Sequence, residues 1–165
     1  MTAKELIAMG RYAWNGLFGR ETEADKQAIA RALKLTHTEK FADQLVDTLS
    51  GGERSRIWLA MLLAQESQFL LLDEPLAALD IAHQVEVMQL VHQLSRELNL
   101  GVIIVIHDIN LASRFCDHLV ALHSGKLLAQ GNAHNIVNTP SLQQIYGIEL
   151  NVIEHPQTHC PVSFY

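Results

Sequence analysis

Cysteine, basic charge and long apolar runs are what this sequence has least of. Two cysteines, Cys116 and Cys160, in 165 residues cannot build the disulfide framework of a small secreted domain, and a reducing, cytosolic setting is expected. No apolar run approaches the ~20 residues that cross a bilayer as a helix. Met1 to Glu5 carries no basic-then-apolar start, so no secretory leader is expected. Lys plus Arg number 12 against 18 Asp plus Glu, a net charge of −6. With no basic block, binding to nucleic acid is not expected. Low-complexity segments, internal repeats and a clear interdomain linker are also missing. What remains is globular: 48% hydrophobic and 18% charged residues lie outside the disordered class. The length suffices for one domain with a core and not for two ordinary ones.

Local signals divide the chain near residue 49. Thr2 and Glu5 form a capping box that predicts a helix over about Ala3 to Met9. Gly10 to Arg20, with Tyr12, Trp14 and Phe18 among its glycines, reads as a loop. Thr22 and Asp25 open a second helix that runs to about Leu35. The first 48 residues thus read as helix and loop without a strand. Ser50 to Gln65 reads as a helix. Phe69 to Leu72 and Val102 to Ile106 are short, wholly apolar runs, which predict strands buried on both faces of a parallel sheet. The stretch from about Ile81 to Leu98, with Val85, Met88, Val91 and Leu94 on one side, predicts the crossover helix of a βαβ unit. A helix over about Ile109 to Cys116 and a strand over about Leu119 to Leu122 follow. Ser124-Gly125 turns the chain into Lys126 to Gln130 as a hairpin. Thr139-Pro140 opens a last helix, with Pro at its first position, and Gly147 ends it.

Both apolar runs end in chemistry-bearing residues, the first in Asp73-Glu74-Pro75 and the second in His107-Asp108. In a doubly wound sheet, ligands sit beyond the carboxyl ends of the strands. A carboxylate there suits Mg²⁺, which takes oxygen ligands alongside water and phosphate. A second carboxylate can polarise an attacking water, and a neutral imidazole can donate to a phosphate oxygen. The plain alternative is that Asp73 and Glu74 cap a strand end and His107 is a satisfied buried histidine. Ser50-Gly51-Gly52-Glu53 opens a helix. Ser50 and Glu53 form a capping box, but such a box does not need two glycines, which lower helix propensity. The glycines leave the first N–H groups open to an anion. Among the nine histidines, only His155, His159 and Cys160 approach a cluster, and a plain surface tail is the alternative to a metal there. Cys116, beside Phe115, reads as core. Tyr12, Trp14 and Phe18 read either as a local cluster or as a docking surface.

At these residues the sequence resembles the ATP-binding cassette (ABC) ATPases. Leu49-Ser50-Gly51-Gly52-Glu53 with Arg54 and Arg56 resembles their signature motif. Phe69 through Pro75 resembles their Walker B strand with its catalytic glutamate. Ala78-Leu79-Asp80 matches the D-loop, and His107-Asp108 the switch histidine. The four stand in the family's order. The resemblance implies an α/β fold, part of the P-loop NTPase (ABC ATPase) fold. Residues 1–48 would be part of the helical subdomain facing a transmembrane permease. Residues 49–165 would be the C-terminal part of the ATPase domain, a mostly parallel sheet with flanking helices. It implies ATP and Mg²⁺ as ligands, with Asp73 supporting the metal, Glu74 activating the water that attacks the γ-phosphate and His107 contacting that phosphate. Asp80 would reach across a dimer interface, and Ser50, Gly51, Gly52 and Glu53 would meet the nucleotide held by a second ATPase subunit. The implied place is the cytoplasmic face of the inner membrane, as a peripheral subunit.

Asp80 through Glu86 and His107 through Asp117 are similar to ATPases of importers for ferric siderophores, haem and vitamin B12. Ile145 to Ile148, His155-Pro156 and Pro161 to Phe164 are similar to the ferric hydroxamate subtype. The sequence also departs from the family. Leu76-Ala77 stands where a small hydroxyl residue is usual. The phosphate cradle G-x-x-x-x-G-K-[ST] is found nowhere in the 165 residues, and no Gln stands in the Q-loop position before the helical subdomain. The chain therefore reads as starting partway through the family's domain, and tight ATP binding or hydrolysis by it alone is not expected. The alternatives are an inactive fragment or interaction module that lends Ser50 to Gly52 to another ATPase and, further off, a DNA-maintenance ATPase. A parallel sheet without its first strands also predicts an open apolar edge and a chain that aggregates or needs a partner.

Overall fold

A computed structural model describes residues 1–16 and 20–165, so Phe18 and Gly19 lie outside the described residues. The chain forms two compact units, Met1–Val105 and Ile106–Tyr165.

The first unit begins with α1 (Ala3–Met9), which opens on the expected box: the Thr2 hydroxyl accepts from the Glu5 N–H at 3.2 Å, and the Glu5 carboxylate accepts from the Thr2 N–H at 2.7 Å. Inside the stretch read as loop there is a one-turn helix, α2 (Tyr12–Asn15). Long-range bonds that the local sequence does not signal hold this turn. The buried Arg11 side chain donates to Asp25 at 2.8 Å, to the Ala64 carbonyl at 2.8 Å and to Glu66 at 2.7 Å. The Trp14 indole donates to the Gln65 carbonyl at 2.9 Å. The expected second helix is α3 (Glu23–Leu35), with Thr22 and Asp25 as its capping box. Asp25 serves this box, Arg11 and Asn15 together, and the Thr22 bonds, then those from Arg11 and Asn15, hold its carboxyl well below the usual range.

Two short 3-10 turns lead to α4 (Gly51–Ala64), capped by Ser50. Leu6 and Ile7 of α1, Ile29 and Leu33 of α3, and Ile57 and Ala60 of α4 share one core. α1 and α4 approach so closely that a Cβ on Gly10 would stand 2.2 Å from the Met61 carbonyl oxygen, which bars any other residue there.

The βαβ unit is as expected: β1 (Phe69–Asp73), α5 (Ile81–Glu97) and β2 (Gly101–Val105), the strands parallel with Phe69 opposite Gly101 and Asp73 opposite Val105. Burial on both faces is not observed. Leu70 and Leu72 are buried, whereas Phe69, Leu71, Ile103 and Val105 are exposed. Both runs lack polar alternation, but a single crossover helix covers only one side of its strands, and the other side stays exposed. On α5, Val87, Met88, Leu90, Val91 and Leu94 are buried and Val85 is half-buried.

The second unit carries α6 (Ile109–Phe115), the antiparallel hairpin β3 (Leu119–His123) and β4 (Lys126–Gly131), then α7 (Ala133–Ile136), α8 (Thr139–Tyr146) and the hairpin β5 (Asn151–Glu154) and β6 (Pro161–Phe164). Ser124 and Gly125 turn the first hairpin with φ of 48° and 73°. Asn138 caps α8, so Pro140 is its second residue, and Gly147 ends it in the left-handed conformation. α7 and the second hairpin were not legible locally: four residues are too few to show a period. Tertiary bonds fix β6 on α6. Ser113 donates to the Pro161 carbonyl at 2.6 Å, and Asn110 pairs with Ser163 N–H at 2.8 Å and the Ser163 carbonyl at 3.0 Å. The mixed helix-and-strand architecture is as expected; its parallel part is the β1–β2 pair, and the other two sheets are antiparallel.

Candidate functional site

Asp73 is the last residue of β1 and is exposed. Glu74 follows with φ of 45°. Such a left-handed conformation in a non-glycine residue costs on the order of 1 kcal/mol and is held only where the surroundings dictate it. The Glu74 carbonyl accepts from Ala77 N–H at 3.2 Å and the Leu76 carbonyl from Leu79 N–H at 3.1 Å. Leu76 itself is buried. The Gln84 side-chain amide donates to the carbonyls of Leu76 at 3.3 Å and Leu79 at 3.1 Å. Residues 74–80 are therefore a wound turn pinned from α5, with both carboxylates presented at the carboxyl end of the strand.

Asp80 is the N-cap of α5. Its carboxylate accepts from the His83 N–H at 2.9 Å and meets His83 Nδ1 at 2.8 Å. These bonds hold the Asp80 carboxyl below the usual range. Ser50 and Glu53 form their capping box on α4, with Ser50 N–H to the Glu53 carboxylate at 2.9 Å and Glu53 N–H to Ser50 Oγ at 3.3 Å. Glu53 is likewise held low, by Ser50 first and by the more distant Lys40 and His83. Gly51 and Gly52 are the first two helical residues, whose N–H groups have no intrahelical acceptor.

The two segments meet. A Cβ on Gly51 would stand 3.3 Å from Leu79 Cδ2, and one on Gly52 would stand 2.3 Å from His83 Cδ2. Arg56 of α4 and Glu86 of α5 add an ion pair at 2.9 Å. The capping box did not account for two glycines; the close approach of residues 78–83 accounts for Gly52 within the chain itself. His83 has no ligand-like spacing with Cys or carboxylates in the sequence. The Asp80-x-x-His83 spacing, an N-cap and its third helical residue, is the signal that could have found it.

His107 lies in the second unit, exposed, with its carbonyl accepting from Tyr146 Oη at 3.5 Å. Asp108 caps α6, accepting from Asn110 and Leu111 N–H at 2.8 and 3.0 Å. His107 is thus a surface residue and not a buried histidine. Cys116 is half-buried at the edge of the second unit's core. Trp14 and Tyr12 stay exposed, although the Arg11 guanidinium lies 5.1 Å from the Trp14 ring centre. His155 and His159 shape the β5–β6 turn: His155 Nδ1 accepts from Gln157 and Thr158 N–H, each at 3.2 Å, and His159 pairs with Glu154. Among the described residues no group of three or more His, Cys, Asp or Glu is placed to hold a metal by itself, and no helix is long and apolar enough to cross a membrane. A cleft of about 700 Å³ opens at the other end of the strands, lined by Phe69, Gly101 and neighbours from α3 and α5, with none of the site residues in its wall.

A family model described as ABC transporter matches residues 2–77. The ferric enterobactin transport ATP-binding protein FepC of Escherichia coli (strain K12) is 43% identical over 162 residues, covering 98% of this chain and 60% of that protein. The iron(3+)-hydroxamate import ATP-binding protein FhuC of Bacillus subtilis (strain 168) is 38% identical over the same shares of each. Among solved structures, an ABC transporter assigned to the metal-chelate type, in an inward-facing conformation, superposes with a TM-score of 0.90 at 25% identity, covering 100% of this chain and 67% of that one. The chain spans about 60% of the length of the curated relatives named. The order of its motifs, its fold and these matches converge: residues 2–77 match the ABC transporter family, and the chain is similar over nearly its whole length to transport ATP-binding proteins.

Proposed function

We propose that the chain supplies the signature, Walker B, D-loop and switch residues of an ATP-binding subunit that powers import of a ferric siderophore. The observation that carries the reading is the packed pair of segments, Ser50 to Glu53 against Ala78 to His83, beside the wound turn that presents Asp73 and Glu74. Asp73 offers carboxylate oxygens at a strand end, the donor chemistry Mg²⁺ takes, and would hold that ion. The ion would supply charge neutralisation on the phosphates. Glu74 would accept a proton from, or orient, the attacking water. Its left-handed backbone, held by the turn that follows it, sets the direction of its Cα–Cβ bond. His107 would donate to the transferred phosphate. Asp80 and the first turn of α4 would face the nucleotide and the D-loop of a second copy. The phosphate cradle G-x-x-x-x-G-K-[ST] is not among the 165 residues, and the proposal assigns no phosphate grip to them. The relatives named are transport proteins for ferric enterobactin and iron(3+)-hydroxamate, which supports a ferric siderophore as cargo. ABC importer ATP-binding subunits pair with transmembrane permeases, and residues 1–48 with the exposed Tyr12 and Trp14 would form the permease-facing part, at the cytoplasmic face of the inner membrane.

The test joins this chain to the part of FepC that their match leaves uncovered and measures Mg²⁺-dependent ATP hydrolysis. Hydrolysis that Glu74→Gln reduces at least a hundredfold is expected. Hydrolysis indifferent to Glu74→Gln refutes the assignment.

A further inference from the structure

The contact between His83 and Gly52 has a consequence beyond the assigned motifs. The His83 ring is not a loose surface group: its Nδ1 lies 2.8 Å from the Asp80 carboxylate, and the same carboxylate oxygen accepts the His83 N–H at 2.9 Å. The ring is thereby clamped at two points of one residue. Its free edge rests on α4, where Cδ2, Cγ and Nε2 would stand 2.3, 3.0 and 3.1 Å from any Cβ at position 52. Leu79 and the Ala78 carbonyl back Gly51 in the same way, at 3.3 and 3.8 Å. The first turn of α4 is thus seated on the segment 78–83 by shape, with His83 as the point of closest approach. The carboxylate of Glu53 shares the charge environment of the imidazole from the α4 side, as Asp80 does from α5.

We propose that His83 is a positioning residue: clamped by Asp80, its ring fixes where the Gly51–Gly52 turn lies, so that the D-loop cap and the signature turn move as one body. The meaning of that coupling for nucleotide contact rests on the function proposed above; the coupling itself rests on the contact alone. It explains why Gly stands at position 52, where helix propensity favours almost any other residue. It also ties the residue expected to reach a second subunit to the turn expected to meet that subunit's nucleotide, through one side chain.

A mutant cycle on the full 165-residue chain tests it, with stability read by urea unfolding at low micromolar concentration. With His83 present, Gly52→Ala should lower the folding equilibrium constant about tenfold or more, because the new methyl must expel a clamped ring. In the His83→Ala background the sign should reverse, since Ala then replaces Gly in a helix with room to spare. Hydrogen exchange supplies the second measurement. His83→Ala should speed exchange in residues 50–56 several-fold while residues 57–64 keep their protection, and His83→Gln, whose amide can donate to Asp80, should recover part of it. A Gly52→Ala effect of the same sign in both backgrounds, or equal loosening along all of α4, overturns the proposal. Adding full-length FepC loaded with MgATP separates the two ideas. Absence of protection at residues 50–56 with the sign reversal intact removes the nucleotide-facing reading and leaves His83 as the positioning residue. Protection without the sign reversal does the opposite.

Discussion

Phe69 and Leu71 of β1 and Ile103 and Val105 of β2 stand on one face of the parallel pair, 66, 71, 63 and 47% exposed. Full burial of one such side chain is worth about 1.5–3 kcal/mol. At these exposures the four leave about 4–7 kcal/mol of apolar transfer unrealised, and each strand presents an outer edge that can pair. A gain of this size is comparable to the lower estimates of the cost of bringing two molecules together. Concentration-dependent self-association is therefore expected rather than a tight dimer. Replacing Leu71 with Thr keeps strand propensity and removes about 1–2 kcal/mol of that gain, a factor of roughly 5 to 30 in the association constant. Ile103→Thr acts similarly, and the two together act less than additively where the side chains share one contact, because the first substitution already removes it. Sedimentation velocity over a range of concentrations is the assay. Because both positions are already exposed, the variants should keep the unfolding free energy of the parent chain within about 0.5 kcal/mol. A parent chain that stays monomeric at hundreds of micromolar and unfolds cooperatively, or variants that associate as strongly as it does, refutes the reasoning.

Acid should destabilise the first unit through its helix caps. Glu5, Asp25, Glu53 and Asp80 all have folded-state pKa values lowered by cap hydrogen bonds. Each therefore contributes stability above its unfolded value, and that contribution is lost as pH falls through the folded one, from about pH 5 downward. Urea midpoints measured between pH 7 and 3 should fall, and Thr22→Val, which removes the largest influence on Asp25, should flatten the fall; a midpoint independent of pH over that span contradicts the capping account. Burial, and then the neighbouring Asp117, push the Cys116 thiol up, so its alkylation should be slow at neutral pH and accelerate only above the ordinary thiol range. Rapid labelling of Cys116 in the folded chain at pH 7 would show that the α6 edge of the second core is open.

Short-range chemistry was legible in the residues alone. The three capping boxes, the two apolar runs with a crossover helix between them, the Ser124-Gly125 hairpin and the carboxylates at the end of β1 all depend on groups within a few positions of one another, and local sequence states those directly. The resemblance to the ABC motifs is legible for the same reason: each is a contiguous string. Tertiary structure decided what depends on distant partners. α2 exists because Arg11 and Trp14 reach the end of α4, some fifty residues on by chain position. The β5–β6 hairpin exists because Ser113 and Asn110 hold its second strand. The exposed face of β1 and β2 follows from a crossover that covers one side only, which an all-apolar run cannot reveal. Gly52, open to a ligand on sequence grounds, is also the seat of the His83 ring. That second role is a matter of van der Waals distance between two segments, and no spacing along a single chain encodes it.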